Sequence, residues 1–260
     1  LLDQLQSALI NHASDHRVWF LVAVALFSGV VRGFSGFGGA LILIPLGSAI
    51  FGPQMGVAIF YLVDLVSATP YGYTYWKRCS FKDISPMLAG HFLALPLGTW
   101  LLTSLDPLLI RWVMDGVVFL MLAVLISGWR YHGTPRPALS FGVGAMAGVM
   151  GASSGISGPP VLAYWLGQTS SSLLIRANIL VYYALTSTAT DVIFFWRGLY
   201  TWEVLIYALL TWPAYSIGLS VGHKLFGLAT DRVFRTTAYI LIATTAIISL
   251  PLFDAWIRPH

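Results

Sequence analysis

A chain of 260 residues that is 57% hydrophobic and 9% charged, with a mean hydropathy of +0.79, cannot cover its outside with water-facing side chains. A soluble domain carries about 25% charged residues. The solvent of this chain is lipid, which excludes a cytosolic enzyme, a secreted module and a nucleic-acid binder. The formal net charge of +4 comes from basic residues set one or two at a time between apolar runs, a pattern that orients membrane spans.

The first 17 residues are mixed and polar, without the pattern of a cleaved signal peptide. Eight apolar segments follow, at 18–51, 54–76, 84–104, 107–128, 138–167, 171–196, 202–222 and 234–257. Six have the length of an ordinary span, about 20–25 residues. The segments 18–51 and 138–167 are longer and are interrupted. Gly33-Phe34-Ser35-Gly36-Phe37-Gly38-Gly39 divides the first, and Gly151-Ala152-Ser153-Ser154-Gly155-Ile156-Ser157-Gly158-Pro159-Pro160 divides the second. The residues after each break are too few to cross a core of about 30 Å as helix. Each long segment therefore reads as a broken or re-entrant hairpin with its tip at mid-membrane.

The two breaks repeat one another. Gly29, Ser35, Gly36 and Gly39 align with Gly148, Ser154, Gly155 and Gly158, and Trp76, Asp83 and Gly98 align with Trp196, Glu203 and Gly218. The halves are 1–132 and 133–260, joined near Gly133-Thr134-Pro135-Arg136-Pro137. Each holds one hairpin and three full helices, so each crosses an odd number of times and the second is inverted. The expectation is an all-α integral membrane protein of two inverted repeats, with about 8 transmembrane segments. Charge agrees. This topology puts Lys77, Arg78, Lys82, Arg130, Arg136, Arg176, Lys224, Arg232 and Arg235 on the cytoplasmic side, and leaves Arg17, Arg111, Arg197 and Arg258 with both termini outside. Cys79, the single cysteine, lies in a cytoplasmic loop; it excludes an internal disulfide and a cysteine-based metal site.

Backbone that is not helical cannot face lipid, so both breaks must line a cavity or be buried in protein. The half-helices that begin at Gly38-Gly39 and Pro159-Pro160 aim free N–H groups and positive dipole ends inward, with Ser157 as an N-cap. That is an anion site, and opposed broken helices are a transporter device. Candidate substrate-binding residues are Ser35, Gly36, Phe37, Gly38, Gly39, Ser153, Ser154, Gly155, Ser157 and Gly158. Gly142, Gly144, Gly148, Gly29 and Gly33 suit close helix packing instead.

Ionisable groups inside spans are the other candidates. Arg32 stands beside the first break, either clamping the anion or pairing with Asp64. Arg176, followed by Asn178 and Tyr182-Tyr183, either binds the anion or snorkels to the cytoplasmic headgroups. Arg32, Arg176, Asn178 and Tyr182 join the substrate-binding set. Asp64 is the candidate for proton coupling. Arg111 and Asp115, four apart, satisfy each other; Asp191 is structural, with Arg197 nearby; His91 is a packed histidine. Trp76, Tyr131, Trp196, Tyr200, Trp202 and Trp256 form an interfacial belt. No metal site and no cofactor are expected. The expected partners are a small anionic substrate and membrane lipids, with no nucleic acid, and a homodimer is left open.

Gly33-Phe34-Ser35-Gly36-Phe37-Gly38-Gly39 with Pro45, and Ser154-Gly155-Ile156-Ser157-Gly158-Pro159-Pro160, resemble the sulfite exporter TauE/SafE family of membrane transporters. The resemblance covers nearly the whole chain. Pro159-Pro160 departs from the family's more usual glycine run, which leaves the particular anion open. The resemblance implies a non-enzymatic transporter of sulfite, a sulfonate such as sulfoacetate, or a carboxylate, working as an exporter. A passive anion channel is the alternative; a multi-span enzyme acting on a lipid phosphate lacks the clustered His, Asp and Glu it would need.

Overall fold

The computed structural model describes residues 16–35, 38–127, 136–165, 171–225, 240 and 242–253. Gly36, Phe37, the joint at 133–135 and most of the last expected span lie outside them, as do Arg130, Tyr131, Arg232, Arg235, Trp256 and Arg258.

The described residues are helical, with no strand among them. In lipid a helix satisfies every backbone donor and acceptor within one segment. The helices are α1 (His16–Ser35), α2 (Ala40–Phe51), α3 (Pro53–Ser67), α4 (Thr69–Tyr73), α5 (Phe81–Ser104), α6 (Pro107–Ser127), α7 (Pro137–Ser154), α8 (Gly158–Trp165), α9 (Ser172–Trp196) and α10 (Trp202–Leu225), followed by helical residues 242–249. Five of them, α1, α5, α6, α9 and α10, are long and apolar enough to cross a membrane. Large apolar side chains face outward, with Leu93 75% and Ile217 59% exposed, as a lipid-facing surface requires.

Both breaks fall where the sequence places them. α1 stops at Ser35 and α2 starts at Ala40. α7 stops at Ser154, where Gly155 adopts a left-handed conformation (φ 71°) and its N–H returns to the Gly151 carbonyl at 2.8 Å. Glycine takes that conformation without the Cβ clash other residues meet. The arm lengths differ from expectation. α1 has 20 residues and α7 has 18, about 30 and 27 Å of helix. Each is longer than the half-span that a tip at mid-membrane needs. Their return arms, α2 with 12 residues and α8 with 8, are short as expected.

The stretch 54–76, expected as one span, is divided. α3 ends at Ser67, and Pro70 sits in the first turn of the separate helix α4. A proline lacks the N–H that would continue the ladder. α3 is bounded at its other end by Gly52 (φ 88°).

Two helix pairs hold the bundle together, α1 with α10 and α5 with α7. Both are glycine-mediated. A Cβ at Gly33 would stand 2.1 Å from the Leu219 carbonyl oxygen, and one at Gly144 would stand 1.9 Å from that of Met87. Gly29, Gly218 and Gly222 serve the first pair and Gly90, Gly98 and Gly148 the second, the small-residue packing of membrane helices. Gly142 differs from this expectation: a Cβ there would meet nothing within 4 Å. Gly29 lies against Tyr215 and Gly33 against Leu219, while Gly144 lies against Met87 and Gly148 against His91. Numbers rise together in each pair, so both pairs run parallel.

Candidate functional site

The break after α1 and the break after α7 open onto one cavity of about 30 Å³, room for about two waters. Arg32 reaches it from α1; Ala40 and Leu41 line it from the first turn of α2; Phe60, Tyr61 and Asp64 from α3; Met121 from α6; Gly155, Ile156, Ser157 and Gly158 from the second break; Tyr183 and Ser187 from α9. The second break lies against α2 and α3: a Cβ on Gly155 would meet Ile44 and Val57.

The charged centre is the pair Arg32–Asp64. The Arg32 Nε donates to Asp64 Oδ1 at 3.1 Å and its Nη2 to Oδ2 at 3.0 Å. This forked geometry suits a guanidinium and a carboxylate. The Tyr215 hydroxyl of α10 adds a third bond to Oδ1 at 2.8 Å. Of the two readings open in the sequence, the pair is therefore present, and it stands on the cavity wall. On its other side the guanidinium lies 5.9 Å from the centre of the Tyr183 ring, within cation–π range. The Tyr183 hydroxyl is buried and has no hydrogen-bond partner among the described residues. In a pocket that also holds a cation, it is a donor left for a ligand.

The start of α2 is less bare than the sequence implies. The Leu41 and Ile42 amides donate to the Gly38 and Gly39 carbonyls at 3.2 and 3.1 Å, so these glycines extend the first turn of α2. Ser28 donates to the Gly39 carbonyl at 2.8 Å. The Tyr61 hydroxyl donates to the Gly151 carbonyl at 3.0 Å, which ties α3 to the end of α7.

Of the residues expected to bind the anion or couple its transport, Arg32, Asp64, Gly155, Ser157 and Gly158 line the cavity. Gly38 and Gly39 sit just behind Ala40. Ser35 closes α1. Ser153 and Ser154 turn their hydroxyls back to the Met150 carbonyl, at 3.5 and 2.7 Å. Arg176 is placed beside Tyr71, away from the cavity lining. Asn178 accepts the Ser80 amide at 2.7 Å, at the start of α5. Tyr182 is bonded to His91 Nδ1 at 2.8 Å.

Tyr61, Tyr183, Ser187 and Tyr215 are the polar residues that sequence reasoning missed. A signal existed for three of them. Tyr61 is three residues from Asp64 and Ser187 is four from Tyr183, spacings that share a helix face. Tyr215 gave none, because its meeting with Asp64 is a long-range contact. Elsewhere, Asp191 accepts a hydrogen bond from the Tyr200 hydroxyl. Arg111 donates to the Ser249 carbonyl at 2.9 Å and Ser249 to Asp115 at 2.6 Å, so both charges are locked to the last helix.

No solved structure matches this chain. A stretch of 117 residues, 44% of the chain, is 28% identical to the probable sulfite/organosulfonate exporter TauE of Cupriavidus necator and covers 45% of that protein. The alignment thus spans about half the length of the curated relative. The family described as sulfite exporter TauE/SafE matches residues 21–248. With its span-length apolar helices, the chain is a multi-pass membrane protein and belongs to the sulfite exporter TauE/SafE family.

Proposed function

We propose that this protein exports a small sulfur-containing or carboxylate anion across the cytoplasmic membrane, by alternating access at the cavity between the two breaks. The observation that carries the reading is the meeting on one cavity of Arg32, the second break and the buried Tyr183 hydroxyl, which has no hydrogen-bond partner among the described residues. A guanidinium and a phenol are donors that match an oxyanion. The name of the Cupriavidus necator relative points to sulfite and organosulfonates. Export needs no coupled ion, because the inside-negative potential contributes about 2.3 kcal/mol per charge per 100 mV.

The two halves, 1–132 and 133–260, are inverted repeats. α1 of the first half packs on α10 of the second, and α7 of the second packs on α5 of the first. In the repeat α1 corresponds to α7 and α5 to α10, so the halves exchange equivalent contacts. Alternating access follows when one such pair rocks against the other.

The test is flux in proteoliposomes loaded with sulfite, sulfoacetate or acetate under an imposed inside-negative potential. Saturable efflux of one anion, with counterflow when that anion is supplied outside, is the expected result. Efflux that never saturates marks a channel, and folded protein that moves none of the three overturns the proposal.

A further inference from the structure

Asp64 holds the position a substrate anion would take. Its side chain is 1% exposed and that of Arg32 is 12% exposed. Both carboxylate oxygens engage the guanidinium, and Tyr215 holds one of them from α10. From α9 the Tyr183 ring faces the guanidinium. Tyr61 of α3 and Asp191 of α9 are the other ionisable groups that sense this carboxylate.

A buried guanidinium with nothing opposite it costs several kcal/mol. An anion carrier passes through such a state whenever its site is empty, unless the protein supplies a counter-charge. Asp64 supplies one, and the empty site is neutral. An anion arriving at Arg32 then meets a carboxylate already in place, and two like charges compete for one fork. The scaffold favours an exchange of places. Arg32 and Tyr215 sit on α1 and α10, which glycine contacts lock together. Asp64 sits on α3, a helix of 15 residues with Gly52 at one end and a second interruption at Ala68 at the other.

Resting on the transport reading, we infer that Asp64 is an internal stand-in for the substrate. It occupies Arg32 while the empty carrier reorients, and it yields when the anion binds. Two processes then separate. Net release needs the empty carrier to return; exchange of anion for anion does not.

Asp64→Asn keeps the shape and an acceptor for Tyr215 but removes the competing charge. In proteoliposomes with radiolabelled sulfite, sulfoacetate and acetate as probes, the variant retains counterflow and binds the transported anion about tenfold more tightly. Its net efflux falls by about the same factor, and Asp64→Glu restores it. If the Asn variant is not monodisperse, Tyr215→Phe reads the same competition, with tighter binding and a lower ratio of net efflux to exchange. Net efflux at the wild-type rate in Asp64→Asn, or equal loss of efflux and exchange in folded protein, overturns the inference. So does unchanged affinity with loss of flux driven by a pH gradient, which marks Asp64 as a proton carrier. Wild-type protein that moves no probe overturns the transport reading, and this inference with it.

Discussion

Tyr183 and Tyr182 are adjacent on α9 and have opposite surroundings. Successive residues on a helix point about 100° apart, so one faces the cavity while its neighbour faces α5 and His91. Tyr183→Phe removes a hydroxyl that has no partner among the described residues. It leaves thermal stability unchanged and weakens anion binding about ten- to hundredfold, the worth of one hydrogen bond to a charged group, as read by ligand-induced thermal shift. Tyr182→Phe does the reverse. His91 Nε2 already lacks a partner among the described residues, and the change also strips Nδ1 of its bond, which costs about 1–3 kcal/mol of stability. Anion affinity stays as it was.

Sequence alone could name this pair of tyrosines but not the phase of the helix that carries them. The same limit explains Arg176, whose guanidinium fits an oxyanion by chemistry but is placed beside Tyr71 by the fold. Arg176→Ala is therefore expected to leave a ligand-induced thermal shift within twofold of wild type in midpoint concentration, while Tyr183→Phe moves it. Arg32 was legible because it abuts the break in sequence; its partner Asp64 was legible as a lone charge inside a span.

The helix breaks were local events and could be read at element scale. Gly155 stops α7 because its φ of 71° is open to glycine, and 107–128 matched Pro107–Ser127 because its bounding residues punctuate the chain on their own. The division at Ala68 was not read, since Pro70 lies in an apolar run whose composition alone is that of a span. The glycines permit a sharper contrast. Gly144→Ala drives a Cβ into the Met87 carbonyl and prises α5 from α7, a loss of about 1–3 kcal/mol measured as a lower Tm in detergent. Gly142→Ala meets nothing and leaves Tm unchanged or slightly raised, because alanine favours helix over glycine. Similar losses at both positions would show that α5 and α7 are not in backbone contact.

For the whole molecule the proposed arrangement is inversion, in which two halves of one pattern enter the membrane from opposite sides. The proposed repeat rests on glycine and tryptophan positions that recur at a nearly constant interval; the sequence also aims both breaks inward at one site, whereas the side chains that line it depend on packing across the chain. Orientation is testable with the single cysteine. Cys79 follows the turn at Trp76–Arg78, and burial pushes its thiol above the usual range. A membrane-impermeant maleimide labels it from the cytoplasmic face alone, faster as pH rises because thiolate is the nucleophile. A cysteine at position 197, in a chain with Cys79→Ser, reacts from the opposite face alone. Labelling of both from one face would contradict the inverted arrangement.

The most direct measurement is a structure of the protein with bound selenite, whose selenium marks a sulfite-like oxyanion by anomalous scattering. One strong peak is expected in the cavity, within hydrogen-bond distance of the Arg32 guanidinium and the Tyr183 hydroxyl and facing Ser157–Gly158. A peak beside Arg176 and Tyr71 with the cavity empty, or no peak at concentrations that saturate flux, would contradict it.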